Sequence, residues 1–485
     1  MSEKINDEAQ TDFYINEIRA LNAQTPKTAI INTYGCQMNV HDSEKLQALL
    51  VSMGYEIVSG ADTADIIIFN TCCVRENAEN KLYGNLGMLK GSKGSGAKPI
   101  VVVCGCMMQQ EASVEKIKQS YRNVDIIFGT FNLHHFPRLL YDRLKTGKPV
   151  IDVWRESEKN FAELSCVNTD SVKAYVSIMY GCDNYCSYCI VPYVRGAERS
   201  RSCAEILNEI ENLAKSGIKE ITLLGQNVNS YGKNLEGGIS FAKLLYKINE
   251  IEGIKRIRFM TSHPRDLSGE LISAMAECEK VCAHLHLPFQ SGSSKILKLM
   301  NRKYTREDYL SLIDKIKSKI PDISITTDII VGFPGEDEAD FADTLDVVEK
   351  VRFAMAYTFI YSKRLHTPAA QMPQTATDEE IKARFEKLVE KVNTIAAEIN
   401  KNLEGKTLEV LFESFNGETG VATGRTSGNS IVHVKTDDFE SGADLTGNTA
   451  AAQSGARLIG KTAAVLITGS KTFYLNGKIE NGAKL

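Results

Sequence analysis

The sequence predicts an α/β protein in three parts, and three observations carry that prediction. Short apolar runs alternate with amphipathic stretches from residue 27 onward, the pattern of strands and helices in a parallel sheet. The alternation breaks over residues 148–172 and then resumes, which separates two such blocks. Beyond about residue 400 the texture changes to short β-rich pieces broken by Gly424, Gly428, Gly442 and Gly469, as in a small antiparallel β-barrel.

Taken in order, residues 1–26 are polar with apolar positions at Phe13, Ile15, Ile18 and Leu21, and read as a helical or loosely ordered leader. A first domain over residues 27–147 has candidate strands at 29–33, 66–70, 100–103 and 125–128. Helical patterns lie between them at 43–53, closed by Gly54, and at 76–90. The Gly/Ser-rich run 91–96 reads as a mobile loop, and residues 148–172 as the domain linker. The second domain, residues 173–400, has candidate strands at 175–179, 220–224, 256–260, 284–287, 324–330 and 355–361. Ser202-Cys-Ala-Glu205 is a capping box that opens one of its helices. Six strand–helix units fall short of a closed eight-stranded barrel, so an open, partial (β/α)6 barrel is expected. Residues 401–480 form the third domain, with strands at 406–412, 430–435 and 462–468.

With 43% hydrophobic and 24% charged residues in a chain of 485, the composition is that of a globular protein. No run reaches the ~20 apolar residues that span a bilayer, and the acidic Met1-Ser-Glu-Lys start reads as no secretory signal. Twelve cysteines in such a chain point to a reducing compartment, the cytoplasm, and to metal binding. A net charge of −4 argues against a uniformly basic nucleic-acid binder while leaving room for a local basic surface.

The most informative run is Tyr180-Gly-Cys-Asp-Asn-Tyr-Cys-Ser-Tyr-Cys-Ile190. Its Cys182, Cys186 and Cys189 can each bind one iron of a 4Fe-4S cluster and leave the fourth iron open. Structural zinc sites instead close the metal with four ligands. A second set emerges from topology. Three strands of the first domain end in Tyr34-Gly-Cys36, Asn70-Thr-Cys72 and Cys104-Gly-Cys106. Carboxyl ends of neighbouring parallel strands lie side by side, so Cys36, Cys72 and Cys106 can meet there. Cys73 and Cys104 remain alternative ligands; Cys73 is expected to point away from Cys72, and Cys104 to face the sheet's packing. Cys166, Cys203, Cys278 and Cys282 read as small buried hydrophobes. His134 and His135 read as surface or interdomain residues, and His263 and His286 as candidates for the barrel mouth.

Two three-cysteine sets of this kind resemble the methylthiotransferases, a family of radical S-adenosylmethionine (SAM) enzymes. The similarity runs over essentially residues 27–480. It is carried by Thr33-Tyr-Gly-Cys-Gln-Met-Asn39, Asn70-Thr-Cys-Cys-Val-Arg-Glu-Asn-Ala78, Gly105-Cys-Met-Met-Gln109, Val194-Arg-Gly-Ala-Glu-Arg-Ser-Arg201, His286-Leu-Pro-Phe-Gln-Ser-Gly292 and Gly424-Arg-Thr426. The resemblance implies a Rossmann-like N-terminal domain, a radical SAM core and a TRAM-like RNA-binding barrel. It implies two 4Fe-4S clusters. The one at Cys182, Cys186 and Cys189 would cleave SAM reductively to a 5′-deoxyadenosyl radical. The one at Cys36, Cys72 and Cys106 would supply the sulfur that is methylated and delivered. A residue placed like Tyr188 lies near the adenine of SAM, and Gly225, Gln226, Val331, Gly332 and Glu336 stand at strand ends where this superfamily contacts SAM. Arg425, Lys435, Lys461 and Lys471 would grip RNA phosphates.

Within the family, Gly-Cys-Gln-Met-Asn and the segment 424–429 look most like the branch acting on dimethylallyladenosine in tRNA. That implies a tRNA partner, a flavodoxin-type electron donor and a monomeric enzyme, and leaves the sulfur donor open. The competing expectations are methylthiolation of threonylcarbamoyladenosine in tRNA or of a ribosomal-protein aspartate, or a non-catalytic iron–sulfur RNA-binding protein. Deletion of residues 401–485 is expected to weaken tRNA binding and leave all six cysteine ligands intact.

Overall fold

The structure is a computed structural model and describes residues 2–60, 64–73, 76–91, 98–156, 164, 166, 170–435 and 456–480. Gly442 and the run 92–96 lie outside the described residues. The chain divides into two compact units. One is Met1–Thr169 with Tyr180–Asp183 and Ile190–Glu198; the other is Asp170–Met179 with Asn184–Cys189 and Arg199–Leu485.

In the first unit the leader is a helix, α1 (Ser2–Asn22), anchored by Ile18 in the core and by Arg19 Nε donating to Ser52 O at 2.7 Å. Then follow β1 (Lys27–Thr33), α2 (Gln37–Ser52), β2 (Tyr55–Ile57), β3 (Ile66–Thr71), α3 (Glu76–Gly91), β4 (Ile100–Gly105), α4 (Glu111–Ser120), β5 (Ile126–Phe128), α5 (Phe136–Thr146) and β6 (Val150–Asp152). The sheet order is β2-β1-β3-β4-β5-β6, with every pair parallel. Its faces are both buried, as parallel sheets require. Ile66, Ile68, Val102 and Ile126 pack with Leu46, Leu50 and Leu140 on one side. Ile67, Phe69, Val101, Val103 and Ile127 pack with Leu82, Leu86 and Ile117 on the other. Each such side chain contributes about 1.5–3 kcal/mol of burial.

Two departures from the sequence reading have local causes. β2 and β6 are only three residues long, too short to show a period, and β6 falls in the expected linker. Helix α2 starts at Gln37 rather than 43 because its first two turns bury polar Asn39, His41 and Asp42, which look like loop residues in sequence.

The second unit carries all six expected barrel strands, starting with β7 (Lys173–Ser177). Two-residue strands β8 (Met179–Tyr180) and β9 (Arg199–Ser200) flank the cysteine loop, and α6 (Val191–Arg195), part of the first unit, follows that loop. Then come α7 (Cys203–Lys215), β10 (Glu220–Leu224), α8 (Phe241–Asn249), β11 (Arg256–Phe259), α9 (Gly269–Glu277), β12 (His284–His286), α10 (Ser294–Leu299), α11 (Arg306–Lys319), β13 (Ser324–Val331), α12 (Glu338–Val351), β14 (Met355–Ile360) and α13 (Asp378–Lys401). Ser202 caps α7 by accepting from the Glu205 N–H, as its motif predicts. Parallel sheets β11-β10-β7 and β12-β13-β14 meet at an Ile257–Val281 bridge, which makes one open, six-stranded half-barrel. Ile257, Leu285, Ile325, Ile329 and Val331 face the surrounding helices, so the residues between them face inward.

The last strands are β15 (Thr407–Asn416), β16 (Val421–Thr426), β17 (Ile431–Lys435), β18 (Thr462–Ser470) and β19 (Tyr474–Ile479). They close as β15-β16-β17-β19-β18 around Val410, Phe412, Val432, Val465 and Leu475. One pair, β17 with β19, is parallel, so the barrel is not wholly antiparallel as expected. Its β16–β17 turn seats at the N-terminal ends of β11 and β12. Arg256 donates to Arg425 O at 2.6 Å, Arg258 to Thr426 O at 2.8 Å and Ser427 O at 2.9 Å, and Ala283 N–H to Ser427 Oγ at 2.9 Å.

Candidate metal centres and nucleic-acid surface

The register Thr33–Asn70 and Thr71–Gly105 sets the carboxyl ends of β1, β3 and β4 side by side. Cys36 and Cys106 flank Asn39, whose Oδ1 lies 3.8 Å from Cys36 Sγ and 3.7 Å from Cys106 Sγ. Asn39 is held by Nδ2 donating to Tyr34 O at 3.1 Å and Thr71 O at 3.0 Å. Cys72 completes the group next to Gly35, where a Cβ would come within 2.5 Å of Cys72 Cβ and 3.1 Å of its Sγ. With φ of +129°, Gly35 is a position that only glycine occupies without strain. The structure thus brings Cys36, Cys72 and Cys106 to one crevice. Cys104 packs on the opposite face of the sheet, as expected. Cys73, expected to point away from Cys72, packs with Cys106 and hydrogen-bonds its sulfur.

Arg195 was not singled out by sequence reasoning. Buried in the first unit, it donates from Nε to Cys106 Sγ at 3.1 Å and from NH2 to Asn39 Oδ1 at 3.1 Å and Asp42 Oδ2 at 2.7 Å. The Cys106 thiol is pulled down to about 6, chiefly by the Cys73 hydrogen bond and then, against burial, by the Arg195 charge. Burial and the neighbouring Cys106 push the Cys36 thiol up. A thiolate is the form that binds iron, so a cation in this crevice favours loading.

In the loop set, the Cys182 N–H donates to Gly196 O at 3.1 Å. A Cys189 N–H to Cys186 O bond at 2.9 Å folds the second half of the loop into a turn, pinned by Ser187 N–H donating to Met300 O at 3.0 Å. A second arginine missed in sequence, Arg302, is buried here and approaches Cys186 Sγ at 3.5 Å while donating to Pro288 O at 2.8 Å. Asn301 Nδ2 donates to Tyr185 O at 2.9 Å. Tyr188 is half-buried and edge-on to Phe333, ring centroids 6.4 Å apart. Among the described residues no three His, Cys, Asp or Glu side chains converge on a single metal ion. A four-iron cube is a larger guest that takes one thiolate per iron.

Gly225 and Gln226 follow β10, and a Cβ on Gly225 would lie 2.6 Å from Met179 Cγ. Val331 ends β13, and Gly332, at φ of +71°, donates its N–H to Glu336 Oε2 at 2.7 Å. Burial pushes the Glu336 carboxyl up to about 7 despite Arg384 at 3.7 Å. His263 is buried and caps a turn by accepting the Arg265 N–H at 3.2 Å. His286 faces the half-barrel interior, 3.0 Å from Thr326 Oγ1 and 3.5 Å from Asp328 Oδ1. His134 is not a surface residue: it is buried edge-on to Trp154. Cys166 and Cys203, read as buried, are half-buried, and the Cys166 sulfur lies 3.8 Å from the His41 ring.

On the small barrel, Lys435, Lys461 and Lys471 are exposed, and Lys471 lines a cavity of ≈ 490 Å³ with Lys401 and Asn402. Arg425 is only half-exposed and is braced by Glu413 at 3.4 Å and Asn429 O at 3.2 Å.

His284 yields a pH prediction. Its Nε2 lies 3.2 Å from Thr326 Oγ1, and burial, then Arg258, lowers its pKa from 6.5 to about 3. A histidine held neutral in the fold stabilises above its unfolded pKa, and that stability is lost as pH falls. Between pH 6.5 and about 3, the stability difference between wild type and His284→Asn should therefore shrink. The expected slope is about 1.4 kcal/mol per pH unit, read by denaturant unfolding at stepped pH.

The Radical SAM superfamily matches residues 176–348, uncharacterized protein family UPF0004 residues 28–129, and the TRAM domain residues 401–479. A protein of Acetivibrio thermocellus named tRNA-2-methylthio-N(6)-dimethylallyladenosine synthase is 53% identical over 478 residues, 97% of this chain and 96% of its own. Proteins of the same name from Alkaliphilus oremlandii and Clostridioides difficile are 52% and 50% identical, over 97% and 99% of this chain and 96% and 98% of theirs.

Proposed function

Because this chain belongs to the family of tRNA-2-methylthio-N(6)-dimethylallyladenosine synthases, we propose that it adds a methylthio group to carbon 2 of N6-dimethylallyladenosine at position 37 of tRNA, next to the anticodon. The observation that carries the chemistry is two three-cysteine sets in one chain, each with a buried arginine on a ligand sulfur.

The donor sets suit 4Fe-4S clusters: soft thiols, largely shielded from water, with a glycine at Gly35 that leaves space beside Cys72. When bound, the two clusters and SAM supply the methylthio group and the radical that opens an unactivated C–H bond. Cys36, Cys72 and Cys106 would hold one cluster, and Cys182, Cys186 and Cys189 the other. Arg195 and Arg302 offset the thiolate charge, and Asn39 Oδ1 lies within 3.8 Å of both the Cys36 and the Cys106 sulfur. Tyr188, Gly225, Gln226, Val331, Gly332 and Glu336 are the SAM-facing candidates. Lys435, Lys461 and Lys471 are the phosphate contacts, with Arg425 a weaker one because Glu413 already holds it. A flavodoxin-type reductant, a monomeric state and a cytoplasmic location belong to the same reading. No described helix is long and apolar enough to cross a membrane.

Mass spectrometry of tRNA nucleosides from cells lacking the protein tests the reaction: methylthiolated isopentenyladenosine should vanish and its unthiolated precursor accumulate. Loss of methylthiolated threonylcarbamoyladenosine instead would refute the substrate. In purified enzyme, Cys36→Ala, Cys72→Ala or Cys106→Ala should still form 5′-deoxyadenosine while methylthio transfer falls to background. If Cys73→Ala blocks transfer and Cys72→Ala does not, the ligand assignment is wrong.

A further inference from the structure

The edge strand β14 pairs with β13 in the register Asp328–Tyr357 and Ile330–Phe359. Its partners on β13 alternate with the helix-facing Ile329 and Val331, so Tyr357 and Phe359 point into the half-barrel. They are 47% and 42% exposed, large rings left open to water on an inner wall. The row continues through Tyr361, whose ring meets Phe333 at 5.3 Å, and Phe333 in turn meets Tyr188, which adjoins Cys189. The Tyr361 hydroxyl is buried and has no hydrogen-bond partner among the described residues. At the other end, the His286 ring sits edge-on to Tyr357 at 5.9 Å with Asp328 beside it.

We propose that this inner face of β13 and β14 reads the target nucleoside, with Tyr357 and Phe359 receiving the branched apolar tail on N6 and Asp328 rejecting an anionic one. The inference rests on the proposed tRNA substrate and adds how it is chosen. A five-carbon dimethylallyl group gains by covering exposed rings, and aromatic walls stack a splayed base. The threonylcarbamoyl group carries a carboxylate, which a carboxylate on the wall disfavours. The row of rings runs from that wall to the Cys186–Cys189 turn, so a base stacked along it is led toward the cysteine loop.

The test measures equilibrium binding of three anticodon stem-loop RNAs to full-length, cluster-reconstituted protein. The RNAs are identical except for adenosine, dimethylallyladenosine or threonylcarbamoyladenosine at the target position. Wild type should favour the dimethylallyl RNA over the unmodified one roughly tenfold, a preference of the size an apolar pocket supports. Tyr357→Ala and Phe359→Ala should bring that ratio close to one, and Phe359→Trp should restore it. Asp328→Asn should tighten binding of the threonylcarbamoyl RNA several-fold. An unchanged ratio in both alanine variants, in enzyme that still methylthiolates the dimethylallyl RNA, overturns this inference and leaves the function standing. A wild type that methylthiolates none of the three RNAs overturns both.

Discussion

Alanine at Cys182, Cys186 and Cys189 together is expected to remove half of the roughly eight irons per chain and all reductive cleavage of SAM. The loss should be total because no other cysteine replaces the set: Cys203 lies on α7, and Cys278 and Cys282 are buried elsewhere in the barrel core. The remaining iron should follow Cys36, Cys72 and Cys106, whose crevice keeps its own arginine. Iron analysis and 5′-deoxyadenosine formation under reduction read both effects from one preparation. Full cleavage by the triple variant would end the assignment of this loop.

The largest effect on stability is expected from Arg258→Ala. Arg258 is 6% exposed, donates to the carbonyls of Thr426 and Ser427, and lies 3.0 Å from Glu220, off the hydrogen-bonding axis of that carboxylate. Removing it leaves Glu220, 2% exposed, charged and unpaired inside the barrel base. Breaking a buried pair from one side costs about 3–5 kcal/mol, roughly 10 °C in melting temperature. Thermal unfolding checks this, and a shift below ~2 °C would show that the pair is dispensable. The same contacts alter the expectation for deleting residues 401–485. That deletion strips the acceptors from Arg256 and Arg258 and the Ser427 hydroxyl from Ala283, so the truncated core should be poorly soluble and lose iron along with tRNA affinity.

Much of the architecture is legible in the sequence because burial on two faces writes itself as apolar runs. The strands around Ile66 and Ile100 are of this kind. The cysteine sets are legible for a related reason: spacing marks one, and strand ends mark the other. Arg195 and Arg302 were hidden because nothing local distinguishes a buried arginine from an exposed one; their roles come from contacts 89 and 116 residues away. The role of residues 424–429 was hidden more deeply. That run enters the sequence reading as a mark of family resemblance, with Arg425 as an expected phosphate contact, whereas its seating on the half-barrel uses backbone carbonyl oxygens, which every residue has.

The seating of the β16–β17 turn beneath the half-barrel also sets an order of events at the ribosome. Arg256 and Arg258 leave the exit tunnel 169 residues ahead of Arg425 and Ser427, the residues whose carbonyls satisfy them. At about 5–20 residues per second, that interval is on the order of ten to thirty seconds. Throughout it the nascent half-barrel holds two arginines at its base without the carbonyls that later accept from them.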